Sequence, residues 1–142
     1  MGITSQLALQ FKKKYSMTIA WRIAHNAKIV DKHLNPGETV LYAFAAQKSN
    51  HTFDIFSTCV VALTSERILI GRDRVVVGYF LDAVTPDLFN DLKVTSGLFW
   101  GKIHIDTVKE YITLSKIDKK ALPEIETKIS AFMMNKKKEY NS

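Results

Sequence analysis

The stretch Leu63-Thr64-Ser65-Glu66-Arg67-Ile68-Leu69-Ile70 decides the fold of this chain. An apolar run from Cys59 to Leu63 leads into a short polar corner, and a second apolar run leaves it. Two short apolar runs that flank a polar turn are typical of paired, buried strands. We therefore predict a structural turn through Thr64 and Glu66. The side chain of Arg67 is predicted to stabilise this corner by donating hydrogen bonds to carbonyls or to a carboxylate.

Similar runs on both sides of this corner predict more strands of the same sheet. The predicted strands cover residues 39–46, 53–63, 67–70, 75–80, 89–95, 99–107 and 111–115. Residues 122–132 then carry apolar side chains at helical spacing, with acidic residues near the amino end and lysines beyond the carboxyl end, which suits the helix dipole. We predict a mainly β, α+β fold of about seven antiparallel strands, closed by a C-terminal helix.

An extra helical segment precedes the sheet, and we predict a break in it near Tyr15. Its second half is amphipathic, with an apolar face of Ile19, Ala20, Ile23, Ala24, Ala27, Val30 and Leu34 opposite Arg22, His25, Asn26, Lys32 and His33. Such a face packs on its own domain, docks on another subunit or lies on a membrane surface, and all three remain open. The sequence Asn35-Pro36-Gly37 ends the segment. We divide the chain into a helical extension at 1–35, a barrel with its closing helix at 36–135, and a basic tail at 136–142.

Composition places the chain among single-domain proteins and excludes several classes. It has 142 residues, a formal net charge of +6 and one cysteine, Cys59, which lies in an apolar run and is expected to be buried. No apolar segment approaches the ~20 residues that span a bilayer. The positive excess lies in the two terminal segments, not on the body of the sheet, so no nucleic-acid partner is expected. We expect a cytoplasmic protein, with peripheral attachment to a membrane as the alternative.

Three motifs taken together resemble a known family. The order Leu34-Asn35-Pro36-Gly37-Glu38, then the corner quoted above, then Ser96-Gly97-Leu98-Phe99-Trp100-Gly101-Lys102-Ile103 is similar to the bacterial pleckstrin-homology-like domains. The resemblance covers about residues 34–134 and leaves the N-terminal helical segment outside. It implies two bent, near-orthogonal antiparallel sheets closed by a C-terminal helix. It also implies a domain that self-associates through sheet edges or flanking helices.

No chemistry of a catalytic, metal or cofactor site is indicated by the residues. The four histidines are dispersed, and no zinc, phosphate-loop or serine-elbow motif occurs. Phosphoinositide binding would need several basic side chains between the first two strands, whereas the predicted loop Gln47 to Thr52 has only Lys48. We therefore expect no enzyme, no cofactor and no phosphoinositide site.

Two hypotheses of function remain. The first is a non-catalytic interaction module that self-associates or binds a protein partner, with core packing as the competing explanation for its aromatic anchors. Its candidate surface residues are Trp21, Ile29, Phe99 and Trp100. The alternative is a peripheral binder of anionic membrane surfaces through the basic N-terminal helix. Its candidate lipid contacts are Lys12, Lys13, Lys14, Arg22, Lys28 and Lys32.

Overall fold

Seven antiparallel strands and three α-helices make up the part of the chain that the structure describes. The computed structural model describes residues 2–48, 57–73 and 78–141. The helices are α1 (Ile3–Lys14), α2 (Ile23–Lys32) and α3 (Leu122–Asn141), the last entered through a short 3-10 turn at Lys119–Ala121. The strands are β1 (Val40–Gln47), β2 (Thr58–Thr64), β3 (Ile68–Asp73), β4 (Tyr79–Val84), β5 (Phe89–Ser96), β6 (Trp100–Thr107) and β7 (Tyr111–Asp118).

The strands form one curled half-barrel. Their order is β4-β3-β2-β1-β7-β6-β5, and every neighbouring pair is antiparallel. The β1–β4 and β5–β7 portions meet where Gln47 pairs with Ser115. Helix α3 contributes Ile125 and Ile129 to the core inside the curl. The predicted fold class, a sheet of seven antiparallel strands closed by a C-terminal helix, is confirmed.

The first three strands are covered on both faces. Phe44 and Val61 point into the core beneath α3, while Ala45, Val60 and Ala62 form a second cluster with residues of α1 and α2. Because both faces are buried, these strands read as continuous apolar runs instead of alternating ones. The N-terminal helices therefore pack on the sheet of their own chain.

The N-terminal segment breaks where predicted, but its second helix starts later than expected. Helix α1 ends at Lys14 and α2 begins only at Ile23. Between them the backbone N–H of Ile19 donates to the carbonyl of Lys116 on β7, and Arg22 adopts a left-handed conformation with φ 54°. Both features are incompatible with a helix running through this stretch, so the prediction that helix begins near Ile19 is wrong.

Several strand limits and the end of the C-terminal helix also differ from the sequence prediction. Strand β3 continues to Asp73 because Arg72 pairs with Phe80 of β4, whose strand runs on to Val84. Helix α3 continues to Asn141, through most of the segment expected to be a basic tail. Gln47 belongs to β1 and not to the following loop. The rest of that predicted loop after Lys48, the predicted start of β2 and residues 75–77 lie outside the described residues.

Among the described residues, no helix has the length and apolar character needed to cross a membrane.

Candidate binding surface

The corner that decides the fold is closed on itself by a buried ion pair. Arg67 donates from Nε and Nη2 to the two carboxylate oxygens of Glu38, each at 3.0 Å, and from Nη2 to the carbonyl of His33 at 3.0 Å. The hydroxyl of Thr64 donates to Glu38 at 2.5 Å and accepts the backbone N–H groups of Glu66 and Arg67. The corner thus ties the end of α2 and the entry of β1 to the β2–β3 turn.

Glu38 stays ionised inside this corner. Burial raises the pKa of its carboxyl, since the side chain has no exposed surface. Hydrogen bonds from Arg67, from the backbone N–H of Asn35 and from Thr64, together with the Arg67 charge, outweigh burial and hold the pKa below its ordinary value. The Glu38 carboxylate is therefore bound by groups of the corner itself, and its role is structural.

The β5–β6 hairpin, in contrast, ends in an exposed apolar tip. The backbone N–H of Gly97 donates to the carbonyl of Trp100 at 2.8 Å, which places Leu98 and Phe99 at the two central positions of the turn. Leu98 is 78% exposed and Phe99 is 60% exposed. A turn does not require apolar side chains at these positions, and placing them in water carries no folding benefit.

The base of the tip is fastened to the connection between α1 and α2. The indole N–H of Trp100 donates to the carbonyl of Met17 at 2.7 Å, and the Phe99 ring lies 5.8 Å from the Trp100 ring between centroids. Met17 is itself 52% exposed. We call Met17, Leu98, Phe99 and Trp100 the tip surface.

Two lysines contact the tip surface, and two more lie next to it in the chain. Lys119 Nζ donates to the carbonyl of Leu98 at 3.2 Å, and Lys116 Nζ lies 5.6 Å from the centre of the Trp100 ring. Lys12, at the end of α1, reaches the carbonyl of the residue before Met17 at 3.0 Å. Lys120 follows directly in the 3-10 turn and is exposed. We call Lys12, Lys116, Lys119 and Lys120 the tip lysines.

Asp118, an acidic residue at the base of this surface, is engaged inward. Asp118 is 5% exposed, and its two carboxylate oxygens accept the backbone N–H groups of Met17 at 3.3 Å and Lys120 at 3.0 Å. The backbone N–H of Asp118 donates to the hydroxyl oxygen of Thr18 at 2.9 Å. The carboxylate thus anchors the base of the tip from beneath, while Lys119 and Lys120 are exposed.

The four aromatic and aliphatic anchors predicted from sequence do not form one surface. Phe99 and Trp100 lie together at the tip. Trp21 lies apart from them, half exposed in the connection between α1 and α2, where its backbone N–H donates to the hydroxyl of Thr58 on β2. Ile29 is only 7% exposed, so the expectation that it is exposed is wrong. It sits on the face of α2 that lies against Gly71 of β3, where the lack of a side chain admits the helix.

The six predicted lipid contacts are also divided by the fold. Lys12 reaches the tip, and Lys13 follows it in the last turn of α1. The other four lie elsewhere, and two of them are paired, since Lys14 bonds Glu124 at 2.9 Å and Arg22 bonds Asp73 at 3.1 Å. Lys28 and Lys32 are exposed along α2. The break between α1 and α2 prevents these residues from forming one basic helix face.

The sequence interpretation missed Leu98, Met17 and three of the tip lysines, Lys116 on β7 and Lys119 and Lys120 directly after it. Leu98 carried a usable signal, because two adjacent large apolar residues directly after a Ser-Gly turn are unlike ordinary turn composition. Met17 carried none, since only the docking of the α1–α2 connection on β7 brings it to the hairpin.

Among residues 2–48, 57–73 and 78–141, no group of three or more His, Cys, Asp or Glu side chains is arranged to hold a metal ion. Cys59 is fully buried, and burial raises the pKa of its thiol to about 12.

A curled half-barrel of seven antiparallel strands, closed by a C-terminal helix, defines the pleckstrin-homology-like class of domain. The family model described as bacterial PH domain matches residues 34–131, which is more than half of the chain, and the protein belongs to this family. The match begins after α2, so both N-terminal helices lie outside it. Searches of curated proteins and of solved structures found no match. Domains of this class are generally binding modules.

Proposed function

We propose that this protein is a non-catalytic binding module that docks through its tip surface onto a negatively charged partner. The observation that carries the proposal is the exposure of Leu98 and Phe99 at a turn whose base is hydrogen-bonded to Met17 and Lys119. Exposed apolar groups on a firmly supported turn are typical of binding surfaces, because they are fixed before the partner arrives.

The charge around the tip supports a negatively charged partner and disfavours a second copy at this surface. Two tips meeting about a two-fold axis would bring both sets of tip lysines together. Like charges at an interface core lower affinity, whereas an anionic partner gains attraction and faster association. Self-association through Phe99 and Trp100 is therefore the less favoured form of the interaction.

An amphiphilic anion tests this proposal without presuming the class of the partner. Octyl sulfate, below its micelle concentration, would be titrated into the wild-type protein while amide chemical shifts are recorded. We expect shifts to concentrate at residues 97–100, near Met17 and at 116–120, and to weaken strongly in the double variant Leu98→Ser, Phe99→Ser.

The matched control is Val108→Ser, which removes an exposed apolar side chain from the other hairpin of the same sheet. It should bind octyl sulfate as the wild type does. Shift changes scattered over the whole domain, or unchanged binding by the double variant, would contradict the proposal.

A second candidate function, self-association, is favoured by a different surface. Strand β4 forms one edge of the sheet and exposes Tyr79 and Phe80, and it contains neither lysine nor proline. Such an edge offers backbone groups to another strand. Light scattering at high micromolar concentration should then show a dimer that Ala83→Lys disrupts, and a strictly monomeric wild type would exclude it.

A further inference from the structure

We infer that the partner of the tip surface is an anionic lipid bilayer, in which Leu98 and Phe99 enter the interface while the tip lysines contact the headgroups. This inference rests on the proposed function, because it names the partner of the same site. It differs from the basic-helix hypothesis, since the contact is made by a hairpin and by lysines from three separate segments.

The order of chemical groups along the tip matches the order of layers in a bilayer interface. The most exposed residues, Leu98 and Phe99, are purely apolar. Behind them lies Trp100, an amphipathic ring whose N–H is already bonded to a carbonyl, beside half-exposed Met17. Tryptophan is enriched at the boundary between hydrocarbon and headgroups. The lysines reach the base of the tip, where the headgroups would lie when the two outer side chains are immersed.

The small size of the apolar tip favours a bilayer over a folded protein partner. A specific protein interface usually buries about 800 Å² on each partner and surrounds its apolar core with a mixed polar rim. Here the outermost apolar part consists of two adjacent side chains at the end of a hairpin, with lysines behind them. A projecting apolar wedge needs no complementary groove in a fluid interface, whereas a protein must provide one.

The lysines favour anionic lipid by general attraction and not by recognition of one headgroup. Lys119 donates to the Leu98 carbonyl and Lys116 lies over the Trp100 ring, so each ammonium group is held by a partner of its own within the tip. A phosphate cage requires instead that several charged donors are directed at one anion. Each lysine near an anionic surface contributes an attraction that corresponds to about a fivefold change in partition coefficient. Binding should accordingly depend on total anionic lipid and weaken as salt is added.

Vesicle sedimentation tests the inference with the full-length protein. The probes are vesicles of phosphatidylglycerol and phosphatidylcholine, and vesicles of phosphatidylcholine alone, each at low and high salt. We expect binding to the anionic vesicles at low salt, with a clear decrease at high salt and little binding to phosphatidylcholine. Leu98→Ser, Phe99→Ser should reduce the partition coefficient about a hundredfold, from about tenfold for each partly covered side chain. Val108→Ser should leave it unchanged.

Two charge variants separate the tip from general basicity. Lys119→Gln, Lys120→Gln should lower the partition coefficient by about 25-fold, because both lysines lie at the tip. Lys28→Gln, Lys32→Gln changes the net charge equally but on the exposed side of α2, and it should have a much smaller effect. Equal loss in both variants would overturn the inference, because it would show binding by overall charge or by the N-terminal helices.

Insertion itself is measured by a fluorescent label on Leu98→Cys. The native protein should accept a thiol-directed, polarity-sensitive dye at this position only, because Cys59 is buried. Emission should shift to shorter wavelength when anionic vesicles are added, whereas the same dye on Val108→Cys should not shift. A label on the tip that stays in a polar environment would refute insertion.

Different experiments decide the bilayer inference and the proposed function. If the protein does not sediment with anionic vesicles at low salt, the bilayer is excluded as partner. The octyl sulfate titration would still show whether the tip is a binding surface, and an acidic protein would then be the partner to seek. If octyl sulfate also fails to bind at the tip, both proposals fall.

Discussion

Replacing Arg67 by alanine should strongly lower the free energy of unfolding, because it breaks a buried ion pair. The guanidinium makes two hydrogen bonds to the Glu38 carboxylate and one to the His33 carbonyl. Its loss leaves a carboxylate without exposed surface and without its counter-charge. Breaking one partner of a buried pair costs about 3–5 kcal/mol, and since Arg67 keeps 17% exposure we expect the lower end, about 3 kcal/mol.

The pH dependence of this loss carries the sharper prediction. In the wild type the pKa of Glu38 lies below its ordinary value, so its contribution is present above the unfolded pKa and is lost as pH falls through the folded pKa. Without Arg67, burial becomes the dominant influence and should raise the pKa above the unfolded value. The free energy of unfolding of Arg67→Ala is then lowered at pH 7, where Glu38 is charged, and rises again as Glu38 takes up a proton at lower pH. The difference in free energy of unfolding between the wild type and Arg67→Ala should therefore become smaller as the pH is lowered from 7 to 4.5.

Urea unfolding followed by tryptophan fluorescence measures both effects. For a slope of about 2 kcal/mol per molar urea, a loss of about 3 kcal/mol lowers the midpoint by about 1.5 M at pH 7. Adding Glu38→Gln to Arg67→Ala should restore part of the stability and remove the pH dependence of the gap, because a buried amide costs less than a buried unpaired charge. Lys109→Ala, at an exposed turn, should change stability by less than about 0.5 kcal/mol. If Arg67→Ala lowers the free energy of unfolding by less than about 1 kcal/mol, or by the same amount at pH 7 and pH 4.5, the reasoning is refuted.

Three further predictions concern the core and the helix ends. Cys59 should resist a thiol reagent at pH 8 in the native protein and react fully in denaturant, because it is buried and its pKa is raised to about 12; rapid native labelling would contradict this. Gly101→Ala should cost about 1–3 kcal/mol in urea unfolding, since the added carbon would lie 2.4 Å from the nearest carbon of Leu122, and an unchanged midpoint would show that this packing is loose. Asp31→Ala should cost about 1 kcal/mol, because the carboxylate of Asp31 accepts the Thr4 N–H at 3.2 Å and so caps α1 from α2; Asp31→Asn should retain most of that stability.

Much of the fold follows from local signals in the sequence. The run from Cys59 to Leu63 and the corner after it predict a buried strand pair, and the change of period at Leu122 predicts the closing helix. These signals are reliable because burial of a strand or of a helix face requires apolar residues at a fixed spacing. The corner also suggested a structural Arg67, although its partner Glu38 lies 29 residues away in the chain and no short-range pattern identifies it.

Helix limits in the N-terminal segment depend on contacts that local spacing does not encode. Ile19 and Ala20 continue the apolar spacing of α2, yet the Ile19 N–H donates to the Lys116 carbonyl and the chain is not helical there. Likewise, the charged residues near Ile29 in the sequence suggest that its side chain is exposed. In the structure it packs against β3 at Gly71, where the lack of a side chain leaves room for the helix. Tertiary contacts override helical propensity in the first case and define the buried face in the second.

The sequence by itself therefore determined the class of fold, the sheet-forming corner and the exclusion of familiar catalytic and phosphate-binding motifs, because each depends on residues close together in the chain. Only the tertiary structure decided where the candidate binding surface lies. Met17 and Leu98 are far apart in sequence, and they become neighbours because Trp100 donates to the Met17 carbonyl while Asp118 holds the Met17 N–H. The tip lysines are likewise far apart in sequence, because Lys12 lies near the end of α1 and the others lie at the end of β7 and directly after it. Only the folded chain brings them to the same end of the molecule.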